Sequence, residues 1–310
     1  VRSLFYLRKK LGIKSWMSTV INSFIDQKYD VAVSYLDGET TDFLVSLKNV
    51  EKKIAWVHSS YLSNDNFYKF YKNKNYVNQL KTERYSKINQ ICFVSNDAKS
   101  EFEQLFGTFK NHRVVYNILN SSDILTKSLE NGVKYSKFTF CALGSLKPVK
   151  GFDLLIQACS LLKIKGLSFQ LNIIGEGPQR EELESLIKSL DLRDCVHLLG
   201  HKSNPYVEMR ASDAFVMSSV SEAMPMAMCE SFVLGLPVIS VKAPGCDEFI
   251  ANGEFGLQCD RNAQALSHSM GQLLNSEELQ DKLKEQSLNR ALEFQDEKIL
   301  KEYEYVLTSK

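Results

Sequence analysis

Short apolar segments alternate with segments of helical periodicity along most of this 310-residue chain. Strands are expected at 30–34, 53–57, 90–94 and 113–116 in the first part, and at 138–143, 169–174, 196–199, 213–217 and 237–241 in the second. Helical segments lie between consecutive strands. This alternation is typical of βαβ units, and it predicts an α/β fold with parallel sheets.

The chain is predicted to divide into two lobes where the apolar period lapses. A linker is expected over 121–137, between a first lobe at 1–120 and a second lobe at 138–295, with a final helix at 296–310. The first 120 residues carry 18 Lys and Arg against 11 Asp and Glu, whereas the rest carry 20 against 26. The asymmetry indicates an anionic partner for the first lobe, with ordinary surface variation as the alternative.

Composition excludes several classes of protein. Hydrophobic residues at 44% and charged residues at 24% fit a globular chain rather than a disordered or fibrous one. A net charge of +1 argues against nucleic acid as a partner, and no stretch reaches the roughly 20 apolar residues of a membrane span. The seven cysteines form no metal-binding spacing, so reduced, mostly buried thiols in a cytoplasmic protein are expected.

A loop rich in glycine and lysine follows the first strand of the second lobe. Within Leu143–Gly151 lie Gly144, Ser145, Lys147 and Lys150. Glycines let a backbone approach a ligand closely, a helix N-terminus offers free N–H groups, and lysines add positive charge. The loop therefore suits a phosphate, although an ordinary turn with surface lysines has the same composition.

A second turn, Gly175-Glu176-Gly177-Pro178, follows the next strand, with Pro178 placed in the first turn of a helix. It resembles the start of a dinucleotide-binding motif, but Arg180 stands where the third glycine belongs. The turn alone indicates NAD binding only weakly. It suits the ribose or base of another nucleotide equally well, and it also suits no ligand at all.

The strongest pattern is a pair of glutamates around a helix start. Glu222 lies on a loop, Pro225 lies where a helix is expected to start, and Glu230 lies inside that helix. Carboxylates accept hydrogen bonds from vicinal hydroxyls, so the pair suits a ribose and a sugar ring. Free N–H groups around Met224 and Met226 would face a diphosphate between them. A solvated acid beside a helix-face acid is the alternative.

Together these motifs resemble the donor-binding lobe of GT-B retaining glycosyltransferases, specifically glycosyltransferase family four (glycosyl transferases group 1). The resemblance runs from residue 138 to about 260 and includes LGLPVIS (234–240) and NGEFGLQ (252–258). The first lobe is similar more weakly, through YDVAVSYLDG, KKIAWVHSSY, CFVSNDAKSEF and VVYNILN, to the bacterial surface-polysaccharide branch. The resemblance implies a GT-B architecture, in which two Rossmann-like lobes enclose a cleft and the last helix crosses back to the first lobe.

The same resemblance implies an activity. Such an enzyme transfers a hexose from a nucleotide diphosphate sugar to a hydroxyl of a glycan or lipid-linked acceptor, with retention of configuration and without metal or other cofactor. Glu230 would hold the ribose, Glu222 the transferred sugar and Lys150 the leaving diphosphate, while His58 corresponds to the family's cleft histidine. The remaining donor-binding candidates are Gly144, Ser145, Lys147, Gly175, Gly177, His201, Met224, Pro225 and Met226. UDP is favoured over GDP as the nucleotide.

The chain departs from the family pattern in several places. Ser145 stands where the family usually has Arg, and Ala223 replaces the usual Gly. The strand, glycine-rich loop and helix that normally open a GT-B chain do not precede residue 30, so a first lobe truncated at its N-terminus is expected. A truncated, non-catalytic relative that binds nucleotide or glycan is therefore the main alternative. A dehydrogenase and a sugar-nucleotide epimerase fit less well.

The segment 69–87 of the first lobe mixes Lys and Arg with Tyr and Phe. This mixture suits an interface with anionic lipid headgroups, and it suits a solvated helix face as well. We therefore expect a cytoplasmic protein with peripheral contact at the inner face of the plasma membrane.

Overall fold

A computed structural model of the chain describes residue 25 and residues 27–63, 71–130 and 132–309. These residues group into two compact units. The first unit holds the described residues as far as Tyr61, those from 71 to Val115, and those from Glu304 onward. The second unit is formed mainly by Tyr116–Tyr303.

The first unit is built on a four-stranded parallel sheet in the order β1-β2-β3-β4. Its strands are β1 (Tyr29–Ser34), β2 (Val50–Val57), β3 (Gln90–Phe93) and β4 (His112–Val114), and its helices are α1 (Glu39–Ser46), α2 (Lys74–Glu83) and α3 (Asn96–Phe106). All four strands expected here from the apolar segments are present. Strand β4 ends two residues earlier than predicted.

Aromatic side chains form much of the first unit's core. The Phe102 ring lies 4.7 Å from those of Tyr85 and Phe106 and 5.1 Å from that of Phe93. Tilted and edge-to-face pairs of this kind are favourable for aromatic rings beyond the area that they bury. They fix α3 against the sheet and so hold the loops at the strand ends.

The second unit is built on a six-stranded parallel sheet in the order β10-β9-β8-β5-β6-β7. Its strands are β5 (Thr139–Leu143), β6 (Gln170–Ile174), β7 (Val196–Gly200), β8 (Ala214–Met217), β9 (Val238–Val241) and β10 (Leu257–Cys259). Its helices are α4 (Ser121–Ser128), α5 (Phe152–Ile164), α6 (Arg180–Ser189), α7 (Tyr206–Arg210), α8 (Met226–Val233), α9 (Asp247–Ile250), α10 (Ala263–Leu274) and α11 (Glu277–Ala291), and α12 (Asp296–Thr308) begins in this unit. The predicted parallel α/β arrangement is confirmed in both units.

The structure differs from the predictions between the two sheets and at one turn. The expected linker of 121–137 contains helix α4, and the chain already belongs to the second unit from Tyr116. The Asn120 side chain caps the start of α4 by accepting a hydrogen bond from the Asp123 N–H, and the Asp296 carboxylate accepts hydrogen bonds from the backbone N–H groups of Asn120 and Ser121, at 2.9 and 2.8 Å. Pro178 precedes α6 rather than lying in its first turn.

The last helix, α12, has Ile299 and Val306 buried. Its residues from Glu304 onward group with the first unit. There Lys52 Nζ donates a hydrogen bond to the carbonyl oxygen of Val306, at 2.6 Å. Lysine near a helix C-terminus satisfies carbonyl groups that have no partner within the helix.

All seven cysteines are buried and none forms a disulfide. Burial raises the pKa of each thiol, to about 12 for Cys92 and Cys141. Within the described ranges, every helix falls short of the length or apolar character that a membrane span needs.

Candidate functional site

The carboxyl end of the second sheet collects the loops on which most of the candidate residues lie. Strands β9, β8, β5, β6 and β7 are neighbours in that order and all run parallel. The loops that follow them therefore emerge side by side at one edge. Ligands of open parallel sheets bind at this edge.

Two glycines join the loop after β5 to the loop after β6. A Cβ atom at Gly175 would lie 1.9 Å from the carbonyl oxygen of Gly144, and one at Gly177 would lie 2.5 Å from that of Leu146. The Leu146 N–H donates to the carbonyl oxygen of Glu176 at 2.9 Å. Backbone thus packs directly on backbone here, which explains the glycines of the GEGP turn without a ligand.

Two further glycines join the neighbouring loops. Gly151, at a φ of 62°, would place a Cβ atom 2.2 Å from the Ser218 carbonyl oxygen. Gly245, at a φ of 77°, would place one 1.7 Å from the carbonyl oxygen of Glu222, whose N–H donates to Pro244 at 3.0 Å. The loops after β5, β6, β8 and β9 are therefore held together by backbone contacts and form one continuous surface.

Lys150 and Glu222 meet on this surface. The Lys150 ammonium lies 2.6 Å from Glu222 Oε1, and the Ser219 hydroxyl donates to the same oxygen at 2.7 Å. The side chains of Lys150 and Glu222 are 22% and 13% exposed, so the pair is largely shielded from water. The ammonium can attract a phosphate, and the carboxylate can accept hydrogen bonds from sugar hydroxyls.

Glu230 lies half-buried in α8, which begins after Pro225 as predicted and is followed by Gly235 at a φ of 68°. The Tyr206 hydroxyl donates to Glu230 Oε1 at 3.3 Å. Burial raises the pKa of the Glu230 carboxyl, and the hydrogen bond from Tyr206 partly opposes that shift. Sequence reasoning missed Tyr206, because only the tertiary fold brings α7 beside α8.

The N-terminus of α8 carries no cap from any described side chain. Met224 is buried and Met226 half-buried beside it. The backbone N–H of Asn117 lies 3.2 Å from the Met224 sulfur, and the Asn117 amide nitrogen lies 3.6 Å from the Met226 sulfur. Asn117 belongs to the segment VVYNILN, and no local pattern indicates its place beside this helix start.

The other donor-binding candidates lie on the same edge with more exposure. Ser145 is half-buried and Lys147 exposed on the loop after β5, and the Lys147 N–H donates to the Ser145 carbonyl oxygen at 2.7 Å. His201 is exposed directly after β7. The preceding residue, Gly200, accepts a hydrogen bond from the Gly175 N–H at 2.9 Å, which ties this loop to the others.

His58 belongs to the first unit, where it directly follows β2. Its backbone N–H donates to Asp37 Oδ2 at 3.0 Å, and its ring lies 4.8 Å from that of Tyr35. Its Nε2 atom is buried and has no hydrogen-bond partner among the described residues. Burial lowers the pKa of the imidazole, which favours the neutral form.

Asp37 was not among the predicted site residues. It follows β1, and burial raises the pKa of its carboxyl to about 6 despite hydrogen bonds from Ser59, His58 and Tyr61. The motif SYLDG after an apolar strand was the available signal. Its carboxyl also hydrogen-bonds to Tyr61, however, which no local pattern connects to it.

A family model described as glycosyl transferases group 1 matches residues 123–290, more than half of the chain. Among characterised proteins, an N-acetylgalactosaminyltransferase of Campylobacter jejuni, named for a diphospho-undecaprenol acceptor, is 30% identical over 212 residues. That match covers 66% of this chain and 57% of the relative. An uncharacterized glycosyltransferase of Haemophilus influenzae is 26% identical over 64% of this chain and 56% of its own length. The chain thus spans little more than half the length of these relatives.

Solved structures share the fold. HepE from Anabaena, crystallised with UDP, superposes with a TM-score of 0.77 at 19% identity, over 97% of this chain and 84% of its own. TarM gives 0.74 at 18% identity, over 90% and 55%, and WaaG, involved in lipopolysaccharide biosynthesis, gives 0.70 at 16%, over 96% and 82%. The predicted GT-B architecture and the family resemblance are confirmed.

Proposed function

This chain belongs to the glycosyl transferases group 1 family, and from that premise we propose that it transfers a hexose from a nucleotide diphosphate sugar to a hydroxyl of a glycan or lipid-linked acceptor. The reaction retains the anomeric configuration, uses no metal and takes place in the cytoplasm during surface polysaccharide synthesis. UDP is the proposed nucleotide, a choice supported by the UDP complex of HepE. The name of the Campylobacter jejuni relative supports a lipid-linked acceptor.

The observation that carries the proposal is the cluster of Lys150, Glu222 and Ser219. Lys150 and Glu222 are 72 residues apart in sequence, yet their side chains meet at the carboxyl end of the sheet. Positive and negative groups placed together at such an edge suit a substrate that presents both phosphate and hydroxyl groups.

The proposed donor lies across the loops after β5, β6, β8 and β9. Lys150 and the N–H groups at the start of α8 stabilise the negative charge that grows on the leaving diphosphate. Glu222 accepts hydrogen bonds from the transferred sugar, and Glu230 accepts them from the two ribose hydroxyls. His58 of the first unit is the remaining catalytic candidate. Gly144, Ser145, Lys147, Gly175, Gly177 and His201 line the rest of the donor site.

The ion pair between Lys150 and Glu222 has to rearrange when the donor binds. Lys150 exchanges Glu222 for the negatively charged diphosphate, and Glu222 exchanges Lys150 for hydrogen bonds from neutral sugar hydroxyls. Ser219 continues to hold the Glu222 carboxylate during this exchange, since its hydroxyl is buried beside it.

Calorimetric titration with UDP and with GDP, without added metal, tests the donor site. We expect UDP to bind the wild type more tightly than GDP, and Glu230→Ala to weaken UDP binding at least tenfold because the ribose loses a bidentate acceptor. Glu285→Ala is the matched control, since Glu285 is an exposed glutamate on α11 of the same unit. Equal loss in both variants, or no UDP binding by folded wild type, contradicts the proposal.

Catalysis needs its own measurement. Incubation with UDP-hexoses and isolated lipid-linked glycans, followed by NMR of the product, identifies transfer and the anomeric configuration. Retained configuration supports the proposal, whereas inversion contradicts its mechanism. Binding of UDP without release from any UDP-hexose would favour a non-catalytic nucleotide-binding relative.

A further inference from the structure

We propose, resting on the proposed function in which His58 is a catalytic residue, that Asp37 is a positioning residue for His58. The Asp37 carboxylate lies on the loop after β1 and holds the loop after β2 by accepting a hydrogen bond from the His58 N–H. The role acts through the backbone of His58.

The geometry begins with the sheet. Strands β1 and β2 are parallel neighbours, so the loops that follow them lie side by side. Asp37 Oδ2 accepts a hydrogen bond from the His58 N–H at 3.0 Å. The side chains of Ser59 and Tyr61 also hydrogen-bond to the Asp37 carboxyl. The Asp37 carboxyl group therefore accepts hydrogen bonds from three of the four residues 58–61.

A network of polar side chains lies beside the contact between Asp37 and the His58 N–H. The hydroxyls of Tyr61 and Tyr85 lie 3.1 Å apart, and both side chains are 1% exposed. Arg84 donates to both carboxylate oxygens of Asp42, at 2.8 and 2.9 Å. Asp42 lies in α1, which starts two residues after Asp37. The Tyr61–Tyr85 contact holds the loop after β2, and the Arg84–Asp42 contact holds α1 next to Asp37. Together they restrict the position of the Asp37 carboxylate.

The His58 ring is placed by this contact. Its Nε2 atom is buried and unpartnered among the described residues, so its direction is not set by a hydrogen bond of its own. The backbone position and the Tyr35 ring set it instead. A displacement of about 1 Å in a positioning group can lower a rate by about 100-fold. Loss of the Asp37 contact should therefore affect turnover more than donor binding.

The contact also has a titratable signature. Burial raises the pKa of Asp37 to about 6, whereas burial lowers the pKa of His58 below its usual value. The other groups facing the carboxyl do not titrate near neutral pH, since the pKa values of Tyr61, Tyr71, Tyr85 and Arg84 are all raised. Above pH 6 the carboxylate accepts from its donors. Below pH 6, one oxygen of the protonated Asp37 carboxyl becomes a donor and faces the N–H and O–H donors of residues 58–61. The loop after β2 should therefore become less ordered as pH falls.

Asp37→Asn tests the proposal because it keeps the size and removes the charge. At pH 7.5 we expect kcat to fall at least tenfold while the Kd for UDP stays within twofold, since the proposed UDP contacts lie in the second unit. The loss of activity near pH 6 in the wild type should shift to lower pH in the variant. Thr41→Val is the matched control: it removes buried hydrogen bonds of α1 to Ser34 and Leu36 but no charge. It should keep the wild-type pH profile.

NMR-detected hydrogen exchange at the His58 amide gives a readout that does not need turnover. We expect exchange at least tenfold faster in Asp37→Asn than in wild type or Thr41→Val at pH 7. In the wild type, protection of this amide should fall with a midpoint near pH 6. This wild-type measurement tests the proposal even if the variant does not fold. Unchanged protection, or an unchanged pH profile of kcat, overturns the proposal. Wild type that binds no UDP overturns the proposed function instead, and the exchange data then decide the Asp37 contact alone.

Discussion

At the scale of single residues, the ion pair between Lys150 and Glu222 contributes to the stability of the fold and also supplies the two charged groups proposed to bind the substrate. The pair is largely shielded, so each charge depends on the other for compensation. Removal of one partner leaves a poorly solvated charge, whereas removal of both leaves none. This asymmetry distinguishes the pair from the exposed one formed by Lys242 and Asp260, whose side chains are 59% and 69% exposed.

A double-mutant cycle measures the pair. We expect Lys150→Met to lower the free energy of unfolding by about 2 kcal/mol, and Lys150→Met combined with Glu222→Gln to restore part of it, with a coupling of about 1 kcal/mol or more. Urea unfolding supplies the values. The same cycle on Lys242 and Asp260 is the control and should give a coupling below about 0.5 kcal/mol. Additive effects at Lys150 and Glu222 would contradict the shielded ion pair.

At the scale of elements, the four glycine contacts make the strand-end loops one structural part. Each loop is held by the backbone of its neighbour, at a distance that excludes a Cβ atom. Local sequence predicted the individual turns, but not that they touch. The geometry of Lys150, Ser219 and Glu222 depends on these contacts because Gly151 and Gly245 lie against Ser218 and Glu222 themselves.

Gly245→Ala should damage the site through this contact. A Cβ atom there would lie 1.7 Å from the Glu222 carbonyl oxygen, so we expect a loss of more than about 3 kcal/mol of stability or a displaced Glu222 loop with weaker UDP binding. Gly166→Ala is the control, because Gly166 has a similar positive φ of 73° but nothing within 4 Å of its Cβ position. It should cost about 1 kcal/mol, from the left-handed backbone alone. Thermal unfolding and UDP titration check both variants, and equal effects would contradict the packing account.

Most of the strands could be predicted because they lie in apolar segments of four or more residues, although β4 itself has only three half-buried residues. The prediction missed β10, a three-residue strand outside the predicted apolar segments. It also missed α4, whose start is held both by the local Asn120 cap and by Asp296, which lies 175 residues from Ser121. The same limit applies to the candidate site: Glu222, Glu230 and Lys150 could be proposed from local motifs. Ser219 and Tyr206 beside the two glutamates, and Asp37 beside His58, could not be assigned, because only tertiary packing brings them into contact.

At the scale of the whole molecule, the described residues of each unit include a hydrophobic core cluster. One is built around the aromatic residues of the first unit, and the other lies on the six-stranded sheet of the second. Tryptophan fluorescence distinguishes the two units experimentally. Trp56 is buried in the first unit, the only other tryptophan of the sequence is Trp16, and the described residues of the second unit contain none.

This distribution yields a test that needs no mutation. UDP at about 100 times its Kd should stabilise the unit that binds it by about 2.7 kcal/mol. We therefore expect UDP to raise the Tm followed by far-UV circular dichroism by about 5–11 °C, since about 1 kcal/mol shifts the Tm of a unit of this size by about 2–4 °C. The Tm followed by tryptophan fluorescence should stay unchanged. An equal shift in both signals would contradict a donor site confined to the second unit.

The buried cysteines make the protein convenient for site-specific labelling. Since every native thiol is both inaccessible and held at a raised pKa, maleimide reagents at neutral pH should leave the folded chain unmodified. A cysteine introduced at an exposed helix position, such as Lys74 in α2 or Glu285 in α11, would then be the reactive thiol. One label in each unit would allow spectroscopic distances to be recorded with and without nucleotide, with all seven native cysteines retained.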